Sequence, residues 1–286
     1  MESGKFLTLI KDGICNNWER PALTDYNGET YLYKDFATKM AQLHILFEDM
    51  DVQKGDKIAI CGRNSANWAV AFFASLTYGA VITTILHDFS GESIHSLVNH
   101  SESKVFFADE FVWSKIDPIQ IPTVETILLI DDFSVQKSRS AKLLASCANL
   151  DQALLKKYPN GFTKEDVVVH DESPDELAVL NYTSGTTSNP KGVMVPYRSL
   201  WSNTRFAIDN IEFVKAGDGI VCMLPMAHMY GLAFEVLLSI AKGCHIHYLT
   251  RVPSPQIIMD AFAKVNPTLV LAVPLIIEKI IQMRVF

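Results

Sequence analysis

The clearest periodicity in this 286-residue chain runs from Phe36 through Met40 and Leu43 to Phe47. Apolar residues three and four apart share one face of a helix, so the spacing predicts an amphipathic helix over about residues 34–50. "QKGDKIAICGRNS" then reads as a turn, a short strand over Lys57–Cys61 and a loop. Ser65 is suited to open the next helix and Gly79 to close it. A serine oxygen accepts a first-turn amide, and glycine enters the left-handed backbone region at little cost. "AVITTI" (80–85) is continuous and β-branched, the pattern of a strand covered on both faces. "SKVFFAD" (103–109) and "VETILLIDD" (124–132) repeat it, and "HSLVNHSE" (95–102) supplies a helix.

Residues 134–175 are polar and poor in aromatics, and are expected to form surface helices and a connecting loop. Strands return at Leu177–Asn181, 219–226 ("GIVCMLPM"), 244–249 ("CHIHYL") and 267–274 ("PTLVLAVP"). Ser254 and Pro255 predict the start of a helix that runs through Val265, and Pro274 the start of a last one. Strands alternating with helices give an α/β fold of mostly parallel sheets with helices on both faces. Two parts are expected, about 1–175 and about 176–286.

Composition removes some classes of function. Lys and Arg number 25 against 32 Asp and Glu, a formal charge of −7 with no basic cluster. That argues against nucleic acid as a partner. The five cysteines, at 15, 61, 147, 222 and 244, are scattered without a C-x-x-C pair. They fit reduced thiols in a cytoplasmic protein better than a disulfide frame or a zinc site. The uncharged run Ala69–Leu86 is long enough to raise a membrane span. Its hydroxyl residues and Gly79 fit a buried helix followed by a buried strand better. The apolar run Phe6–Ile10 is too short for a signal-peptide core. His245 and His247 alternate along one strand, which accounts for them without a metal.

One stretch carries chemistry. "NYTSGTTSNPKG" (181–192) sits between two strands and combines hydroxyl residues, glycines and one lysine. Backbone amides, hydroxyl donors and a point charge are what a polyphosphate needs. On composition alone a polar surface loop remains the alternative reading. The Walker A spacing G-x-x-x-x-G-K-[ST] fits poorly: Pro190 replaces its second glycine, Gly192 replaces its hydroxyl residue, and "VMVP" continues as strand rather than helix.

The stretch resembles the signature loop of the adenylate-forming (AMP-binding) enzymes, which include acyl-CoA synthetases, peptide-synthetase adenylation domains and firefly luciferase. Their form is [ST]-S-G-[ST]-T-G-x-P-K-G, and nine of the ten positions fit, from Thr183 to Gly192. Ser188 departs, standing where the family usually has glycine. The opening segment through "AVITTI", "LPMAHMYG" (224–231) and "PTLVLAVPLIIEKI" (267–280) are also similar to family segments, and lean toward the long-chain fatty acid–CoA ligases. The resemblance implies ATP-dependent conversion of a carboxylic acid to an acyl-adenylate, then a thioester with coenzyme A, with Mg²⁺ accompanying the nucleotide. It implies that Thr183, Ser184, Gly185, Thr186 and Thr187 surround the phosphates with Lys191 as their charge partner. It places His228 near the reacting carboxylate or the acyl chain, with Met229, Tyr230 and Gly231 shaping that pocket. Lys191 and His228 are the expected catalytic residues. The family's G-Y-G-x-T-E and T-G-D segments and its small C-terminal domain are not in this sequence. The chain therefore reads as an N-terminal portion, expected to be inactive alone. Two alternatives are an adenylation module loading a carrier protein and a non-catalytic nucleotide-binding chain. Peripheral membrane association through a lipid substrate is a further expectation.

Overall fold

The computed structural model describes residues 4–183, 190–250, 254–274 and 277–278. Its strands are β1 (Pro21–Asp25), β2 (Thr30–Leu32), β3 (Lys57–Cys61), β4 (Val81–Ile85), β5 (Val105–Ala108), β6 (Thr126–Leu129), β7 (Val135–Lys137), β8 (Leu177–Thr183), β9 (Lys191–Pro196), β10 (Gly219–Cys222) and β11 (His245–Tyr248). They form a seven-stranded sheet, ordered β7-β6-β5-β3-β4-β8-β9, and a four-stranded sheet, ordered β10-β11-β1-β2. In the larger sheet the five inner strands are parallel and the two edges antiparallel.

Alternation along the strands builds two cores. Ile58 and Ile60 of β3, with Val105 and Phe107 of β5, face the helices Tyr33–Asp49 and Ala66–Tyr78. Ala59 and Cys61, with Phe106 and Ala108, face the helix Gly91–Ser101 on the other side. Burial on both faces is why these strands read as continuous apolar runs rather than as alternating ones. The expected α/β architecture, mostly parallel with helices on both faces, is the one found.

Several local expectations hold. The 3.6-residue stripe becomes Tyr33–Asp49 with Phe36, Leu43 and Phe47 fully buried. Ser65 accepts the amide of Trp68 at 3.0 Å, and Gly79 ends that helix at φ 94°. Ser254 accepts the amide of Ile257 and opens Pro255–Val265. Ala69–Leu86 divides into a buried helix end and buried β4, and no helix among the described residues is long and apolar enough to cross a membrane.

Others need correction. The division near residue 175 does not separate the sheets: β8 and β9 complete the larger one, and β1 and β2 join β10 and β11. Residues 134–175 contain two short helices, as expected, but also β7, whose three residues at a sheet edge are too few to show a period. "GIVCMLPM" ends as strand at Cys222, because the backbone beyond it bonds to side chains instead of to a neighbouring strand. "PTLVLAVP" contributes a single bridge, Ile220 with Leu269, at the half-exposed edge beside β10. Missed altogether were the helices Phe6–Asn16 and Tyr197–Asn210 and the helical run from Met229 to Lys242.

Candidate functional site

In the larger sheet β8 runs into β9 as an antiparallel hairpin, with Asn181 opposite Val193, Tyr182 opposite Gly192 and Thr183 opposite Lys191. The pairing closes the base of the hydroxyl-rich loop and puts Thr183 and Lys191, both exposed, side by side at its mouth. Ser184, Gly185, Thr186, Thr187 and Ser188 lie outside the described residues. Gly192 has a local reason to be glycine. A Cβ there would stand 3.1 Å from Leu180 Cδ1 and 3.2 Å from the Tyr182 ring. Tyr182 is itself held from the other side, since its hydroxyl lies 2.6 Å from His100 Nδ1 and burial pushes its phenol up to about 12.

The second sequence-predicted group falls on the turn after β10. His228 donates its amide to the Pro225 carbonyl and caps the helical run that begins at Met229. Its Nδ1 accepts the Tyr230 amide at 3.3 Å. A neutral imidazole arranged this way carries its proton on Nε2, which remains a donor for an anionic oxygen. His228 is exposed, Met229 half-buried and Gly231 buried against Leu224 and Pro225. Tyr230 borders an apolar cavity of about 320 Å³ lined also by Met223, Phe262, Val270, Leu271 and Ile277.

The structure ties the two groups through a residue to which the sequence reading assigned no role. Asn181, 3% exposed, donates from Nδ2 to Thr84 Oγ1 at 2.6 Å and to the Ala227 carbonyl at 2.7 Å. The strand that leads into the loop is thereby tied to the residue before His228. On the far side, Asn64 donates to the Leu224 carbonyl at 2.7 Å and accepts the Met226 amide at 2.9 Å. Glu235 accepts the Leu224 amide at 3.1 Å. Backbone groups that leave a sheet and become buried need partners, and side chains supply them here. A hint was available in the sequence: an asparagine inside an apolar strand is costly to bury unless it is bonded.

A family model, "AMP-binding enzyme", matches residues 15–286. The chain belongs to the AMP-binding enzyme family. It is 30% identical over 213 residues to long-chain-fatty-acid–CoA ligase 1 of Saccharomyces cerevisiae, covering 68% of this chain and 30% of the yeast protein. It is 26% identical over 266 residues to 4-coumarate–CoA ligase 3 of Oryza sativa subsp. japonica, covering 91% of this chain and 45% of the rice protein. The chain thus spans less than half the length of these relatives. Among solved structures it superposes on the N-terminal domain of FACL13 from Mycobacterium tuberculosis with a TM-score of 0.79 at 18% identity, covering 97% of this chain and 65% of the other. That likeness is one of fold.

Within this AMP-binding chain the Asn181 link has a measurable cost. Asn181→Leu keeps the branched shape of the side chain but leaves the Thr84 hydroxyl and the Ala227 carbonyl without their shared donor. Stranding buried polar groups costs about 1–3 kcal/mol. A lower urea midpoint with an unchanged m-value is the expected result, and equilibrium unfolding followed by fluorescence checks it.

Proposed function

We propose that this chain is the nucleotide- and acid-binding portion of an acid–thiol ligase. The ligase activates a carboxylic acid with ATP, releases pyrophosphate and passes the acyl group from AMP to coenzyme A. The observation that carries the reading is the junction at Asn181, which joins the phosphate-loop hairpin to the His228 turn. Activation needs a carboxylate and a triphosphate, both anionic, held in contact. Positioning and charge compensation then supply most of the rate. Thr183 and the loop from Ser184 to Thr187 hold the phosphates, and Lys191 offsets their charge. His228 donates from Nε2 to the carboxylate. Met229, Tyr230 and Gly231 shape the entrance to the apolar cavity. Magnesium enters as part of the nucleotide substrate, and no residue here is assigned to it.

The acid we favour is a fatty acid, because the cavity beside Tyr230 is lined by apolar side chains. The aromatic acid implied by the rice relative's name is the competing substrate class. An acid-dependent ATP–pyrophosphate exchange assay on the intact protein, run over straight-chain and aromatic acids, tests both points. Exchange rising with chain length is expected. Exchange with every acid equally would remove the acid-site assignment, and a preference for cinnamate-type acids would replace the fatty acid.

A further inference from the structure

Glu235 is fully buried, yet among the described residues one of its carboxyl oxygens, Oε1, has no hydrogen-bond partner, and neither has the hydroxyl of buried Tyr248. The Cys222 thiol and the amides of Met223 and Leu224 lie against the same carboxyl. Glu235 also sits in a π-helical stretch, Leu232–Leu237, inside the run that starts beside His228. Widened turns of this kind are uncommon and gather at functional sites. A leucine would fill such a position at no polar cost, so the buried carboxyl requires a reason.

We infer that Glu235 is a positioning residue, which fixes the Met223–His228 segment from beneath and so sets where the His228 imidazole stands. The segment leaves β10, contains Pro225 with no amide proton, and among the described residues has no neighbouring strand for its first residues. Its backbone is held instead by Glu235 at Leu224, by Asn64 at Leu224 and Met226, and by Asn181 at Ala227. Of the three, Glu235 is the one that belongs to the helical run which His228 caps. It therefore closes a ring in the chain: from His228 along the helix to Glu235, across to Leu224, and back to His228. Burial pushes the Glu235 carboxyl up to about 8. At neutral pH the group is therefore mainly uncharged, and it can hold the Leu224 amide without an unpaired buried charge. The inference rests on the reading that His228 lines the acid site, but the geometric claim is measurable without activity.

The test is the His228 side-chain resonance in protein labelled with [13C]histidine, assigned among the eight histidines by its loss in His228→Ala. Glu235→Met keeps the volume and removes the acceptor, and should shift or broaden that resonance. His44, held in the core by the Ala74 carbonyl at 3.0 Å, should stay in place. Glu235→Gln keeps an acceptor for Leu224 and should superpose on wild type. If Glu235→Met does not fold, Glu235→Leu takes its place. An unmoved His228 in either folded apolar variant overturns the inference, and so does movement of His228 in Glu235→Gln. In the exchange assay the apolar variant should lose about a hundredfold, as displaced reacting groups do, with Glu235→Gln restoring the rate. No acid-dependent exchange in wild type, with the resonance pattern as expected, would sink the proposed activity and leave the positioning role standing.

Discussion

On the proposed function, Lys191→Ala is expected to lower acid-dependent ATP–pyrophosphate exchange by about 10²–10³-fold, the cost of removing one preorganised charge partner from a developing anion. Lys191 opens β9 opposite Thr183, at the base of the hydroxyl-rich loop, so its backbone is fixed by the sheet while its side chain is exposed. The mutation removes charge and reach without opening the core. The thermal midpoint should therefore stay within a degree or so of wild type, since exposed substitutions change stability by roughly 0.5 kcal/mol or less. Lys191→Arg should recover only part of the rate, because a planar guanidinium replaces a compact ammonium at the loop mouth. Exchange unchanged in Lys191→Ala would take the phosphate role away from this residue. A fall in rate together with a fall in midpoint would make the role structural.

The second large effect is on stability against pH. The Glu235 carboxyl is raised from 4.5 to about 8 by burial, an effect that the Cys222 thiol and two backbone amides reduce. A raised carboxyl means that the folded protein keeps a proton which the unfolded chain has lost. Stability is therefore highest below pH 4.5 as far as this group is concerned, and declines as pH rises toward 8. His44 and His247 act the other way. Burial lowers each from 6.5 to about 4, so their contribution is present above pH 6.5 and is lost on acidification. The two trends oppose each other between pH 4.5 and 6.5. From pH 6.5 to 8 the Glu235 trend runs without theirs, and 1.5 pH units correspond to about 2 kcal/mol. Wild type should lose roughly this much stability across that window, while Glu235→Gln stays nearly flat and is the more stable protein at pH 8. Urea unfolding at pH 6.5 and 8.0 measures both slopes, and parallel slopes would mean that Glu235 titrates normally.

Much of this protein was legible in its sequence, for reasons that are local. The Phe36–Phe47 stripe, the Ser65 and Ser254 caps, the Gly79 stop and the β-branched run of β4 each express a preference settled within a few residues. The loop from Thr183 to Gly192 and the turn at His228 stood out as candidates because a motif is a set of residue types in a fixed order, and their roles are those proposed above. The short edge strands β2 and β7 were not, because three residues are too few to show a period of two. Nor was the helix Tyr197–Asn210, although its buried Tyr197, Leu200, Thr204 and Ala207 follow helical spacing.

What only the tertiary structure decided is how those pieces meet. Residues 177–196 belong to the sheet of residues 57–137, while residues 21–32 belong with residues 219–248. No local preference encodes that exchange, because strand order is set by which apolar faces can be covered together. The same holds at the site. Asn64 meets Leu224 across 160 residues, and Asn181 meets Ala227 across 46. As isolated letters these are an asparagine in a loop and an asparagine in a strand. They gain a role when burial strips water from the backbone between Met223 and His228 and leaves it side chains as its partners. The sequence alone singled out the hydroxyl-rich loop and His228 as candidates, and the fold ties the strand before the loop to the turn before the histidine through Asn181.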